Sequence, residues 1–256
     1  LWLAYLQYLF KAQSALNLHS PFVFQLYTEV INSPQNYYAF AEIEKLRFEL
    51  LNNPQMLDIQ DFGAGSRIAK NNRRSIAHIA RYSNTSAKQG RLLFKLVNYF
   101  QPHTIVELGT SLGISTLYMA KAKKNARLYT FEGSENVAKI AEENFKKLQM
   151  PNIQIIKGNL DEILKPKLAK IPSLDFVFFD ANHRLEPTLN YFENCLQKAH
   201  NQSVFVFDDI YWSKEMQIAW EKIKAHPKVS LTIDLFWLGL VFFQERPEKQ
   251  HFVLKF

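Results

Sequence analysis

Ile105-Val106-Glu107-Leu108-Gly109-Thr110-Ser111-Leu112-Gly113-Ile114-Ser115-Thr116 reads as an apolar strand, a glycine turn and the start of a helix. Gly109 permits backbone geometry closed to other residues, Gly113 lets helix and ligand approach, and the N–H groups of a helix start suit an anionic group. A nucleotide-like cofactor is the usual tenant of such a loop. The pattern is not the G-x-G-x-x-G of a dinucleotide site. Glu107, two residues before the first glycine, would repel a pyrophosphate and welcome a ligand with positive charge.

Downstream of Thr104 short apolar runs alternate with amphipathic stretches, the pattern of parallel strands joined by crossover helices. The strand candidates are Thr104–Leu108, Arg127–Phe131, Ile153–Lys157, Leu174–Phe179, Ser203–Phe207, Val229–Asp234 and Leu238–Phe243. Helical spacing of apolar residues marks Ser134–Leu148, Glu186–Ala199 and Lys214–Ala225. Only Leu235-Phe236-Trp237 separates the last two strands, too little for a crossover, so they are expected to pair as an antiparallel hairpin. The expected fold is therefore α/β, a Rossmann-like, seven-stranded, mostly parallel sheet ending in that hairpin. Upstream, helix-like pieces at Trp2–Ala15, Phe40–Leu51 and Leu92–Phe100 are broken by Ser20-Pro21, Ser33-Pro34 and Asn53-Pro54, with no strand alternation of any length. Residues 1–88 are read as a helical cap or lid on a catalytic domain formed by residues 89–256.

Composition bounds the rest. The 256 residues are 47% hydrophobic and 21% charged, which excludes wholesale disorder. The net charge of +7 is uneven: eight basic residues and no acid lie between Arg67 and Lys95. That run (Arg67, Lys70, Arg73, Arg74, Arg81, Lys88, Arg91, Lys95) is either a solvated helical face or a surface for a phosphorylated substrate or an RNA backbone. A single cysteine, Cys195, removes disulfide scaffolds and Cys-rich zinc sites and fits a reducing compartment, so a cytoplasmic location is expected. The longest apolar run, Leu235 to Phe243, is far short of the ~18–20 residues of a membrane span. The opening Leu1 to Phe10 is read as an aromatic-rich helix and not as a leader.

The segment Glu107-x-Gly109-x-x-x-Gly113 resembles the first motif of class I S-adenosylmethionine-dependent methyltransferases, whose loop embraces the methionine end of the cofactor. By that resemblance Glu107 lies near the methionine amine, Ser115 near its carboxylate, and Gly109, Thr110 and Gly113 form the loop. The next strand ends in Phe131-Glu132-Gly133, where Glu132 would accept both ribose hydroxyls. The third ends in Gly158-Asn159-Leu160, which places Asn159 at the adenine. Asp61-Phe62-Gly63-Ala64-Gly65-Ser66 mimics the motif, but Gln55 to Gln60 before it is a poor buried strand and no ribose acid follows. It is read as a lid loop.

Two later strands end in acids: Asp180-Ala181-Asn182-His183 follows Leu174–Phe179, and Asp208-Asp209 follows Ser203–Phe207. In an open parallel sheet the ligand crevice lies beyond the carboxyl ends of the strands. Neighbouring strands stand ~4.8 Å apart, so three carboxylates there would repel unless a proton or a cation intervened. Mg²⁺ or another hard divalent ion, which takes oxygen ligands and exchangeable waters, answers that need. The spacing resembles the cation-dependent O-methyltransferases that act on catechols, caffeoyl-coenzyme A and macrolide sugars, over roughly residues 88–245. The resemblance implies Asp180, Asp208 and Asp209 as metal ligands, Asp180 bordering the cofactor as well, and His183 with Asp180 as the catalytic pair. Many relatives place Lys at the His183 position and the sugar-modifying branch places His. The blander alternatives are helix caps for Asp180 and Asp209 and a satisfied loop histidine for His183.

The residues point to a Mg²⁺-assisted O-methyltransferase acting on a hydroxyl of a small molecule that could carry negative charge. Tyr211, Trp212 and Trp237 either wall its pocket or pack in the core. The alternatives are a metal-independent RNA methyltransferase using the basic segment, and a non-catalytic S-adenosylmethionine-binding protein. A homodimer stays open. Cys195, in a helical pattern, argues against cysteine-nucleophile methylation of pyrimidine carbon, and no Asn/Asp-Pro-Pro-aromatic segment supports amino methylation of DNA.

Overall fold

The computed structural model describes residues 2–59, 73–82 and 85–256. The chain divides into two compact units, Pro34–Ile163 and Leu1–Ser33 together with Leu164–Phe256. Helices α1 (Trp2–Lys11) and α2 (Pro21–Leu26) come first. Then follow α3 (Tyr38–Leu51), β1 (Met56–Asp58), β2 (Arg73–Ser75), α4 (Ile76–Tyr82), α5 (Ala87–Phe100), β3 (Thr104–Leu108), α6 (Ile114–Ala122), β4 (Arg127–Glu132), α7 (Glu135–Lys147) and β5 (Ile153–Lys157). The chain continues through α8 (Leu160–Leu168), β6 (Leu174–Phe179), α9 (Leu185–Leu196), β7 (Ala199–Asp208), α10 (Lys214–Ala225), β8 (Leu231–Asp234), β9 (Leu238–Phe242) and β10 (Gln250–Val253).

In the unit Pro34–Ile163, β3 and β5 pair in parallel on either side of β4, setting Glu107 level with Thr130 and Glu132 level with Lys157. Helix α5 forms where a capping box starts it: Ser86 accepts from the Gln89 N–H and the Gln89 side chain accepts from the Ser86 N–H. Its Leu92, Leu93, Leu96 and Val97 recur at helical spacing and are buried. At Gly90 a Cβ would stand 2.4 Å from the Tyr118 ring of α6, so the absent side chain is what lets the ring lie on α5. Tyr118 then donates from its hydroxyl to Glu44 of α3 at 2.6 Å. Helix α6 is buried from Ile114 to Ala120, as expected for a helix enclosed on all sides.

In the other unit the strand order is β6-β7-β9-β8-β10, with β6–β7 and β8–β10 parallel and β9 antiparallel to both β7 and β8. Trp220 of α10 fills the gap left by Gly239 of β9, where a Cβ would meet the indole at 2.6 Å. Phe179 and Phe207 stack with centroids 4.1 Å apart, fixing β6 against β7 near the ends that carry the acids. Helix α1 belongs here: the Tyr8 hydroxyl donates to the Leu254 carbonyl at 2.5 Å and accepts from the Phe256 N–H at 3.2 Å. The first 33 residues thus fold with the C-terminal strands, while the 88/89 boundary falls in the first turn of α5.

The α/β class and the mostly parallel pairing match the expectation from sequence, and each of the seven expected strands is present. Two strand expectations need correction. The β8–β9 hairpin forms, with the Leu235 N–H donating to Leu238 O, but the sheet does not end there: β10 adds in parallel beyond β8. The upstream region does hold strands, since β1 and β2 form an antiparallel ribbon in which Asp58 faces Arg73 and pairs with it at 3.3 Å. Three-residue strands are too short to show alternation. The Asp61–Ser66 loop, Arg67 and Lys70 lie outside the described residues. Among the described residues no helix is long and apolar enough to cross a membrane.

Candidate functional site

Glu107, the penultimate residue of β3, has no solvent exposure, and a buried carboxylate needs donors. It has them: Ser115 donates at 2.5 Å, Thr130 at 2.6 Å, and Thr116 also donates. Because Thr130 spends its proton on Glu107, the 2.6 Å contact between Thr110 and Thr130 has Thr110 as donor. The carboxylate, the loop and the first turn of α6 are thereby one hydrogen-bonded body. The Ser115 hydroxyl, expected near the methionine carboxylate, gives its proton to Glu107, and the first-turn N–H groups of α6 have no partner within the helix.

The loop itself is shaped by positive φ at Gly109 (101°), Ser111 (48°) and Gly113 (83°). The N–H groups of Gly109 and Thr110 both donate to Phe131 O at the end of β4, at 3.1 and 3.0 Å. A Cβ on Gly113 would stand 2.4 Å from the Phe145 ring of α7, so this glycine makes room for a core side chain. Asn144 of the same helix donates to Leu112 O at 2.9 Å and pins the loop from behind. Glu132 is held by two backbone donors, Ser111 N–H and Ser134 N–H, each at 2.8 Å, and Gly133 lies between Glu132 and Ser134. Asn159 immediately precedes α8, its Oδ1 accepting from the Asp161 N–H at 3.1 Å. Thr116, Thr130, Ser111 and Ser134 escape sequence reading because hydroxyl residues from separate elements meet at the two acids only once β3 and β4 pair.

In the second unit, the register Phe179↔Phe207 sets Asp180 level with Asp208 at the ends of β6 and β7. His183 lies in a turn with Asn182 (φ 67° and, for His183, 32°), and its Nε2 is 3.4 Å from Asp180 Oδ1. Asp209 also has positive φ, 54°. These left-handed residues at strand ends carry backbone strain of the sort that clusters at functional sites. Burial, then the charges of Asp180 and Asp209, push the Asp208 carboxyl well above the usual range. Burial likewise lifts Asp209 to about 6, with His183 opposing and Asp180 adding to the rise. Burial works against protonation of His183, but its hydrogen bond to Asp180 and the charges of Asp180 and Asp209 outweigh it and raise its pKa. Asp180, His183, Asp208 and Asp209 thus lie near one another at the ends of β6 and β7.

The donor set is of the kind a hard cation takes, three carboxylates that are all oxygen donors, with the charge of Asp180 adding to the rise of Asp208 and Asp209. Among the described residues no group of three or more His, Cys, Asp or Glu side chains is drawn into metal-ligand geometry. Tyr211 is committed to structure, donating to Asp234 at 2.6 Å and stacking on Phe236, whereas Trp212 and Trp237 are each more than a third exposed. Cys195 is fully buried, and burial pushes its thiol pKa up, away from nucleophile chemistry. In the basic segment Arg73 is paired with Asp58.

Residues 106–210 match the family described as a methyltransferase domain. Over 131 residues the chain is 33% identical to a catechol O-methyltransferase of Niastella koreensis, covering 50% of this chain and 58% of that one. Over 127 residues it is 30% identical to the catechol O-methyltransferase of Mycobacterium tuberculosis, covering 49% and 56%. The match therefore spans little more than half the length of these curated relatives. A methyltransferase of Podospora anserina solved with S-adenosylhomocysteine has the same fold, with a TM-score of 0.62 at 16% identity over 91% of this chain and 100% of that one.

Proposed function

We propose that this chain, whose residues 106–210 match a methyltransferase domain, is a class I S-adenosylmethionine-dependent enzyme that transfers the cofactor's methyl group to a hydroxyl oxygen of a small molecule with the help of a divalent cation. The observation that carries this reading is the group Asp180, His183, Asp208 and Asp209 at the ends of adjacent parallel strands. S-adenosylmethionine supplies an electrophilic sulfonium methyl, and a divalent ion, when bound, supplies charge that favours ionisation of a nearby hydroxyl.

The chain's own residues do the rest. Glu107, locked by three hydroxyls, offers a fixed negative charge to the methionine amine; Gly109, Thr110 and Gly113 hold the loop, and the first turn of α6 at Ser115 faces the carboxylate with its N–H groups. Glu132 accepts the ribose hydroxyls beside Gly133, and Asn159 borders the adenine. Asp180, Asp208 and Asp209 would hold the cation, with Asp180 also serving the cofactor. His183 takes the proton of the substrate hydroxyl, oriented by Asp180. Binding supplies the alignment that a direct transfer of methyl from sulfur to oxygen requires. The segments before residue 89, divided between the two units at Ser33, serve substrate choice, and the cytoplasm is the place of action.

The test is methyl transfer from labelled S-adenosylmethionine to a panel of hydroxyl acceptors, catechols first, with and without Mg²⁺. Turnover that chelation stops supports the proposal; turnover that survives chelation overturns the role of the cation. Binding of S-adenosylhomocysteine without transfer to any acceptor would favour a non-catalytic binding protein.

A further inference from the structure

Ser111 and Ser134 stand on either side of Glu132, each donating its backbone N–H to one carboxylate oxygen at 2.8 Å. Their side-chain hydroxyls are buried, and neither has a hydrogen-bond partner among the described residues. Buried hydroxyls without partners are uncommon enough that each asks for a reason. Two flanking one acid ask for a shared one.

Ser134 makes the case sharper. It is the N-cap of α7, the position at which serine is favoured because its hydroxyl accepts from the helix's first N–H groups. Yet it makes no side-chain cap bond, although it is only 2% exposed. Ser111 sits in the left-handed region at φ 48°, a conformation costly for a serine and imposed by the loop. The fold withholds one hydroxyl from its cap and places the other on a strained turn.

We propose that the Ser111 and Ser134 hydroxyls are donors to the ribose of the bound adenosyl cofactor, completing the hydrogen bonding of the two hydroxyls that Glu132 accepts. This rests on the reading of Glu132 as the ribose acid. An ionised carboxylate only accepts, so a ribose hydroxyl that donates to it keeps lone pairs in want of a donor. The Glu132 oxygens are already positioned by the two serine N–H groups, and the same two residues then supply donors from their side chains. The chemistry selects a ribonucleoside with both hydroxyls intact.

The experiment is calorimetry of S-adenosylhomocysteine with the wild type, Ser111→Ala, Ser134→Ala and the double variant, beside thermal melts of the ligand-free proteins. The expected result is affinity weakened about three- to tenfold by each substitution, with the ligand-free melting temperature unchanged or raised, since each alanine removes an unpartnered polar group. The double variant should also narrow the wild type's preference for adenosine over 2′-deoxyadenosine. Unchanged affinity in the variants overturns the proposal. So does a fall in ligand-free stability with affinity intact, which would mark the hydroxyls as structural. If the wild type itself fails to bind S-adenosylhomocysteine, the cofactor reading falls, and this one with it.

Discussion

The Thr130 hydroxyl stands 2.6 Å from the carboxylate of Glu107, one strand away and level with it in the β3–β4 register. Because Glu107 is fully buried, each donor it loses leaves charge uncompensated. Thr130→Val keeps the shape and removes the donor, and also takes away the acceptor for Thr110. A loss of about 1.5–3 kcal/mol is expected, read from urea denaturation midpoints at constant slope.

Gly113 carries two separate constraints: φ of 83° and a Phe145 ring 2.4 Å from where a Cβ would be. Gly113→Ala is expected to cost about 2–5 kcal/mol, the sum of left-handed strain of about 1–2 and overpacking of about 1–3. Trimming the ring in Gly113→Ala/Phe145→Leu should return part of the crowding cost and none of the backbone cost. A double-mutant cycle that shows no coupling would mean the ring yields freely.

His183→Ala should lower turnover by about 10²–10⁴-fold if the side chain takes the substrate proton, while S-adenosylhomocysteine binding changes little. Single-turnover rates beside calorimetry separate the two. A parallel loss of binding would assign His183 to the architecture of the site instead.

Asp234 supplies a pH signature unconnected with catalysis. Burial raises its pKa, against the pull of hydrogen bonds from Tyr211 and the Phe236 N–H. With the folded value above the unfolded one, its contribution is fully present at acid pH, below the unfolded pKa, and is lost as pH rises through the folded pKa. Asp234→Asn does not ionise, so the variant should gain on the wild type as pH climbs through that window and hold a constant difference above it. Denaturation midpoints of both proteins from about pH 3 to 7 read this directly. A difference that is flat with pH would show that Asp234 ionises alike in both states.

The β3 loop could be read from sequence because strand, glycines and helix start are contiguous, and the four acid-cluster residues because each closes or follows an apolar run. The β10 strand could not be, since Gln250–Val253 is short, half-exposed and preceded by the charged Glu248 and Lys249. The donors of Glu107 were hidden for a different reason. Thr116 and Thr130 approach it only when a helix and a neighbouring strand fold back, and nothing local in either segment marks them. Helix α1 was recognisable, but its anchoring through Tyr8 to Leu254 depends on residues 246 positions apart.

That anchoring imposes an order on the chain's birth. Residues 34–163 emerge from the ribosome as an uninterrupted run and can fold while the rest is still being made. Leu1–Ser33 are made well before the strands they fold with, so at ~5–20 residues per second Tyr8 waits on the order of ten seconds or more for Leu254. During that interval Tyr8, the buried side chain of α1, has no native surface to cover it. Helix α1 therefore takes its final place only after its partners Leu254 and Phe256 have been made.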